Sequence, residues 1–318
     1  MITLPAKRLS ALAIAATFVF AACGSSSASP SAAASTGASA AAASGAPAAS
    51  GGAPAACVDG SITASGSTAL QPLIDAAGKA YVAACPKSTI SVQGGGSGTG
   101  LTQVSQGAVQ LGNSDVTADS KLPADQASAL VDHIVARQGW VMVVNSGVTG
   151  VTTLTTQQAQ DIWSCPAGQT APKITNWKQV GGPDLPIVLV LRPASSGTRA
   201  TFKKLVLNGV DECAGQALTE DSNGAVTTAI GQTAGATSVI GFAYFAANST
   251  KVTAVGIDGV QGSVDNMANK TYKLQADGHV YSKGQPDGLA KSFLDYLMST
   301  YVQKTLIPAN NYGPAPAQ

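Results

Sequence analysis

Residues 91–104 read SVQGGGSGTGLTQV: alternating apolar positions run into glycines gathered around one serine, and then into helical spacing. Ile90 and Val92 alternate as a strand, residues 94–100 turn, and Leu101, Val104 and Ala108 mark the inner face of a helix. Such a turn exposes the unpaired N–H groups of a first helical turn. The positive end of the helix macrodipole adds to them, so the place favours an anion.

The same arrangement occurs twice more. In SITASGSTALQPLIDAAGKAYVAAC a β-prone run reaches Gly66, Ser67 and Thr68, and Leu70, Leu73, Ile74, Ala77, Tyr81 and Ala84 follow at helical spacing, with Ser67 or Thr68 as the expected N-cap. In PIVLVLRPASSGTRATFKKLVL the apolar run 187–191 has the composition of a buried parallel strand. Ser195, Ser196, Gly197 and Thr198 turn, and Phe202, Leu205 and Val206 face inward. Each turn joins a strand's carboxyl end to a helix N-terminus, which in an open α/β sheet is the ligand-binding edge. Elsewhere HIVARQGWVMVVN reads as strand, TTQQAQDIW as a helix with Thr155 and Gln158 as capping box, and AKSFLDYLMSTYVQKTLI as a long C-terminal helical region. The fold class is α/β.

Not all of the 318 residues belong to that fold. Residues 1–22 carry Lys7 and Arg8 and then an apolar run, as a secretory signal does. The run is shorter than the ~20 residues that span a bilayer. It ends Phe20-Ala21-Ala22-Cys23, which resembles a lipobox and predicts lipidation of Cys23. Residues 23–56 are then almost entirely Ala, Ser, Gly and Pro, with no core-forming side chain, and read as a tether with a reach of roughly 30 Å. The remaining chain, from Cys57, is long enough for one large or two modest domains.

A net charge of +1, with only 11% charged residues and no basic run, argues against a nucleic-acid partner. Cys57, Cys85, Cys165 and Cys213 are an even set in an exported chain and suggest two disulfides. Three pairings are open; Cys57–Cys85 with Cys165–Cys213 is favoured because each loop then stays within one stretch of chain. No metal site is expected, since there is no CxxC and only His133 and His279 are available.

The anion does not belong to a nucleotide. The glycine turn lacks a GK[ST] ending and does not fit G-x-G-x-x-G. Acyl transfer is disfavoured because Ser97 lacks the glycine two places later that a nucleophile elbow needs, and neither histidine has an evident nucleophile partner. A small free oxyanion remains. After the signal only Arg137, Arg192 and Arg199 occur. Arg192 leaves the third strand four residues before Ser196 and offers a guanidinium fork, whereas Arg199 is expected at the surface. In VQLGNSDVTADS, Asp115 follows a short strand. A carboxylate beside an anion makes sense if the ligand still carries a proton. Hydrogen phosphate donates an O–H, sulfate does not, and a site built to bond a hydroxyl rejects its absence by ~10⁴-fold or more.

Together, GSTALQP, GGGSGTG, LGNSD and RPASSGT, in this order, resemble the phosphate-binding lipoproteins that serve bacterial ABC phosphate importers. The resemblance continues through LTTQQAQDIWS, NWKQV, SVIGFAYFA, TYKL, AKSFLDYLMS and NNYGP. It implies a type 2 periplasmic-binding-protein fold of two α/β lobes around a ligand cleft, with residues 57–136 and 246–318 as lobe 1 and 137–245 as lobe 2. It also implies a phosphate site. Ser67, Thr68, Ala69 and Ser97 would contact phosphate, Asp115 would accept its proton, and Arg192, Ser196, Gly197 and Thr198 would close the far side. Ala69 stands where some relatives have an aromatic residue, but only its backbone N–H is expected to contribute. The implied protein is a monomer without cofactor, tethered by lipid outside the cytoplasmic membrane and delivering inorganic phosphate to an ABC permease. The alternatives are a receptor for another oxyanion (arsenate, sulfate or molybdate), a phosphomonoester hydrolase, and a surface sensor or adhesin.

Overall fold

The computed structural model describes residues 52–213 and 217–316. The signal segment, Cys23 and most of the expected tether lie outside these residues. The last tether residues do not hang free: Gly52 O accepts from Tyr296 Oη at 2.8 Å and Ala56 O from Ser292 Oγ at 3.1 Å.

The chain opens with β1 (Gly60–Gly66), α1 (Gln71–Ala84), β2 (Ser88–Gln93), α2 (Ser97–Ser105), β3 (Leu111–Ser114) and the short α3 (Ala124–Ser128). Strand β1 lies between β2 and β3 and is parallel to both. The 16-residue β4 (Leu130–Asn145) then carries the chain onward. After it come β5 (Thr153–Leu154), α4 (Thr156–Trp163), β6 (Val188–Leu191), α5 (Gly197–Leu205), β7 (Leu218–Thr219), α6 (Asn223–Gln232), β8 (Ala236–Gly241), α7 (Phe242–Asn248), β9 (Val252–Ile257) and α8 (Val264–Ala268). The return is β10 (Gln275–Lys283), followed by α9 (Gly288–Leu297), α10 (Ile307–Ala309) and β11 (Gly313–Pro314). The C-terminal helical region is broken: one turn of π-helix, Val302–Leu306, separates α9 from α10.

Strand order is β2-β1-β3-β10-β4-β8-β6-β7, and β4 belongs to both halves of it. Its first part, Leu130 to Gly139, pairs antiparallel with β10; its second part, from Trp140, pairs with β8 and β9. The apolar cores divide at the same place. Ile62, Leu70, Leu73, Tyr81, Ala136, Val280 and Phe293 fall in one buried cluster, and Trp140, Trp163, Trp177, Phe202, Ile230 and Leu274 in another. These are two lobes, crossed by β4 and by the start of β10. The outward crossing lies close to the expected boundary at residue 136. The return does not lie at 246: Val252, Val255, Ile257, Met267 and Tyr272 are all buried with the second cluster. The reason is pairing, since Val252 to Val255 lie beside Asn145 to Met142 of β4.

Disulfides join Cys57 to Cys85 and Cys165 to Cys213, one in each lobe. They close loops with sequence separations of 28 and 48, which corresponds to about 3.5 to 4 kcal/mol each from the restricted unfolded chain. Replacing both cysteines of either pair by serine is expected to lower the urea midpoint accordingly, and equal midpoints with and without a bond would contradict this.

Candidate functional site

Each of the three glycine- and serine-rich turns ends a strand of one lobe and aims at the other. After β1, Gly66 holds φ at +136°, and a Cβ there would collide with Asn113 O, so only glycine fits. The turn places Ser67, whose hydroxyl accepts the Ala69 and Leu70 N–H groups at 3.1 and 3.0 Å. The helix proper starts only at Gln71, so Ser67 caps the turn before α1 rather than the helix itself. After β2, Gly96 precedes Ser97, the first residue of α2. After β6, Ser196 caps α5 by accepting the Arg199 N–H at 3.2 Å.

Asp115, 2% exposed, is the centre of this arrangement. Its Oδ1 accepts the Ser67 hydroxyl in a short hydrogen bond and Gln138 Nε2 at 3.0 Å. Its Oδ2 faces the Thr198 hydroxyl at 3.4 Å, and its backbone N–H donates to Ser97 Oγ at 3.0 Å. Burial pushes the carboxyl above the usual carboxylate range, against the opposing pull of Ser67, Gln138, Arg192 and Thr198. Thr198 is itself fixed by Trp140, whose Nε1 donates to its hydroxyl oxygen at 3.1 Å.

Arg192 lies across from it, 3% exposed. Its Nη2 donates to Asp221 O at 2.9 Å and reaches Thr68 Oγ1 at 3.4 Å. Its Nε and Nη1 are buried with no hydrogen-bond partner among the described residues. Nor does Arg192 form an ion pair among them, so it is not a structural salt bridge. Two buried N–H-bearing nitrogens without an acceptor are costly unless something accepts from them. Thr68 completes the ring by accepting Asn223 Nδ2 at 2.8 Å.

The two lobes meet closely here. A Cβ on Gly197 would fall on Ser97 Oγ and lie 2.6 Å from Asp115 Cβ. Gly98 N–H donates to Ser195 O at 2.8 Å across the same boundary.

A profile of the PBP superfamily domain matches residues 51–300. The chain is 46% identical over 255 residues to the phosphate-binding protein PstS of Bacillus subtilis (strain 168), covering 80% of this chain and 81% of that one. The chain belongs to the PstS family. Among solved structures, a putative phosphate ABC transporter substrate-binding protein from Clostridium perfringens, with bound phosphate, matches at TM-score 0.70 and 27% identity, over 81% of this chain and 100% of that one. An ABC-type phosphate transport receptor from Vibrio cholerae matches at TM-score 0.61 and 30% identity, with the same two coverages. The architecture is thus that of a type 2 periplasmic binding protein, as the PstS family has.

The sequence-predicted residues Ser67, Thr68, Ala69, Ser97, Asp115, Arg192, Ser196, Gly197 and Thr198 all come to this one place. Two are spent differently from expectation. The Ser67 hydroxyl is committed to Asp115 and to two backbone N–H groups, and the Ala69 N–H is taken by Ser67. Arg199 is only partly at the surface, its side chain 26% exposed; its Nε lies 2.8 Å from Glu212 Oε2 and its Nη1 donates to Arg192 O. Sequence reading missed Asn223, Gln138 and Trp140. Asn223 was visible as a fourth turn of the same kind, DSNGAV before α6, whereas Gln138, next to Arg137 in a strand that also holds Asp132, His133 and Asn145, carried no distinguishing signal.

Gly197→Ala is expected to keep both lobes folded while preventing their approach, so any ligand enclosed between them is lost; binding by the alanine variant within about twofold of wild type would contradict this. The second expectation concerns pH. Asp115 titrates higher in the folded than in the unfolded chain, so its contribution to stability is complete below about pH 4 and is lost as pH rises through the raised value. Melting temperatures of the ligand-free protein should therefore decline over that range, and Asp115→Asn should flatten the decline.

Proposed function

We propose that this chain is an extracytoplasmic receptor that encloses inorganic phosphate, as its monohydrogen anion, between its two lobes and presents it to an ABC permease. The observation that carries the reading is the buried Arg192, with two nitrogens lacking an acceptor, facing the buried carboxyl of Asp115. A guanidinium fork suits a tetrahedral oxyanion. The carboxylate has Oδ1 occupied by two donors, while Oδ2, with only the long Thr198 bond at 3.4 Å, has room to accept the ligand's O–H. The proposed ligand shell is Thr68, Ser97, Asp115, Arg192, Ser196, Gly197 and Thr198. Ser67 acts one step back by orienting Asp115, and Ala69 by packing on the second lobe. Lipidation at Cys23, in a segment outside the described residues, would tether the receptor to the membrane as a monomer. The PstS relatives carry names of binding and transport proteins, and no step on the ligand beyond enclosure is needed here.

Enclosure favours whichever lobe arrangement completes the hydrogen bonds, so the ligand shifts the population toward the closed form. Calorimetry on the purified protein is expected to give tight phosphate binding and sulfate binding weaker by ~10⁴-fold or more. Asp115→Asn should narrow that ratio, whereas Arg192→Ala should weaken phosphate and sulfate alike by about 100-fold. Sulfate binding as tight as phosphate in the wild type, or equal losses for both anions in both variants, would overturn the assignment.

A further inference from the structure

Lys121 follows the 3-10 turn Ala118–Ser120, with its backbone N–H on Ala118 O at 3.0 Å. Its neighbours Ala118 and Leu122 are buried with Leu101, Val104 and Tyr281, which fixes the backbone of Lys121 on the first lobe. The side chain leaves that lobe. Its Nζ donates to Ala194 O at 2.7 Å and lies 3.5 Å from Ser196 O. Both carbonyls belong to the loop that joins β6 to α5, with Arg192 at one end and Gly197 and Thr198 at the other. Between them, Ser195 O accepts the Gly98 N–H at 2.8 Å. Three successive carbonyls of a second-lobe loop are thus faced by donors from the first lobe, and neither donor residue is in the proposed ligand shell.

These bonds join segments anchored in separate apolar cores, so they form only when the lobes meet. An ammonium-to-carbonyl bond is charge-assisted and stronger than a neutral one. A contact present in only one of two arrangements biases the equilibrium toward it, whatever ligand is enclosed. Burial, Arg199 and Lys203 all push the Lys121 ammonium below the usual lysine range, with Asp115 opposing them. The cation is held there against a cost, which its carbonyl partners offset.

Building on the phosphate reading, we propose that Lys121 is a latch between the lobes: a positioning residue that holds the 194–196 loop against the first lobe and so retains the anion without touching it. The latch acts equally on every enclosed anion. It therefore sets the lifetime of the complex and leaves the choice between anions to Asp115.

Stopped-flow tryptophan fluorescence with phosphate, on wild type, Lys121→Met and Lys121→Arg, tests this. The methionine variant is expected to release phosphate about 5- to 30-fold faster, allowing for the partial exposure of the lysine. Its association rate should stay within about twofold, its phosphate-to-sulfate ratio should not change, and the arginine variant should recover most of the retention. Unchanged release in the methionine variant, or a changed anion ratio, overturns the latch. A change confined to association also overturns it, by assigning Lys121 to electrostatic steering. Failure of wild type to bind phosphate would instead overturn the reading beneath it. In that event small-angle scattering of the ligand-free proteins reads the latch alone: a larger radius of gyration for Lys121→Met supports it, and identical radii overturn it.

Discussion

A buried carboxyl, Asp115, and a buried guanidinium, Arg192, feel each other's charge without forming an ion pair, and this is the constraint on which the rest of the structure depends. Desolvating either charge is costly unless hydrogen bonds compensate. Asp115 is compensated by Ser67, Gln138 and Thr198, which come from a turn, a crossing strand and a helix of the other lobe. Arg192 is compensated only in part, by Asp221 O and Thr68, which leaves its Nε and Nη1 without an acceptor among the described residues. In the proposed reading, the anion is one that both accepts from this guanidinium and donates to this carboxylate.

The fold serves that constraint by bringing strand ends of two sheets face to face. Strand β4 runs through both sheets, so Gln138, close to the crossing, touches Asp115 while Trp140, two residues on, fixes Thr198. The crossing strand is thereby a structural link between the two lobes at the candidate site. Small residues permit the approach. Gly66 lets the first turn lie against β3, and Gly197 lets α5 begin in contact with Ser97 and Asp115. The disulfides lie at Cys57–Cys85 and Cys165–Cys213, within each lobe, and leave movement between the lobes unconstrained.

Much of the site was legible because its chemistry is local. Ser67, Ser97 and Ser196 stand at strand–helix turns that repeat one pattern, and Arg192 and Asp115 are conspicuous in a chain with so few charges. Asn223 was legible in principle, as Ser222 caps α6 immediately before it, but its β7 is only two residues long and gives no strand signal. Gln138 was not assignable, because it is one of several polar residues in β4, next to Arg137, and the sequence does not show which of them turns toward Asp115. The return crossing was misplaced for a related reason. The segments around β9 look alike whichever lobe they join, and only pairing with the second half of β4 decides between them.

The sequence by itself determined the alternation of strands and helices, the anion-favouring turns, and the arginine and acid that mark the candidate site. These follow from periodicity, capping and charge, which act over a few residues. The tertiary structure alone decided which groups are spent on one another and which remain for a ligand. Ser67 became a brace for Asp115, Ala69 N–H became internal, Arg199 turned inward to Glu212, and Lys121 reached the opposite lobe. Hydrogen-bond partners far apart in the chain are set by how two sheets close on each other, and no local pattern encodes that distance.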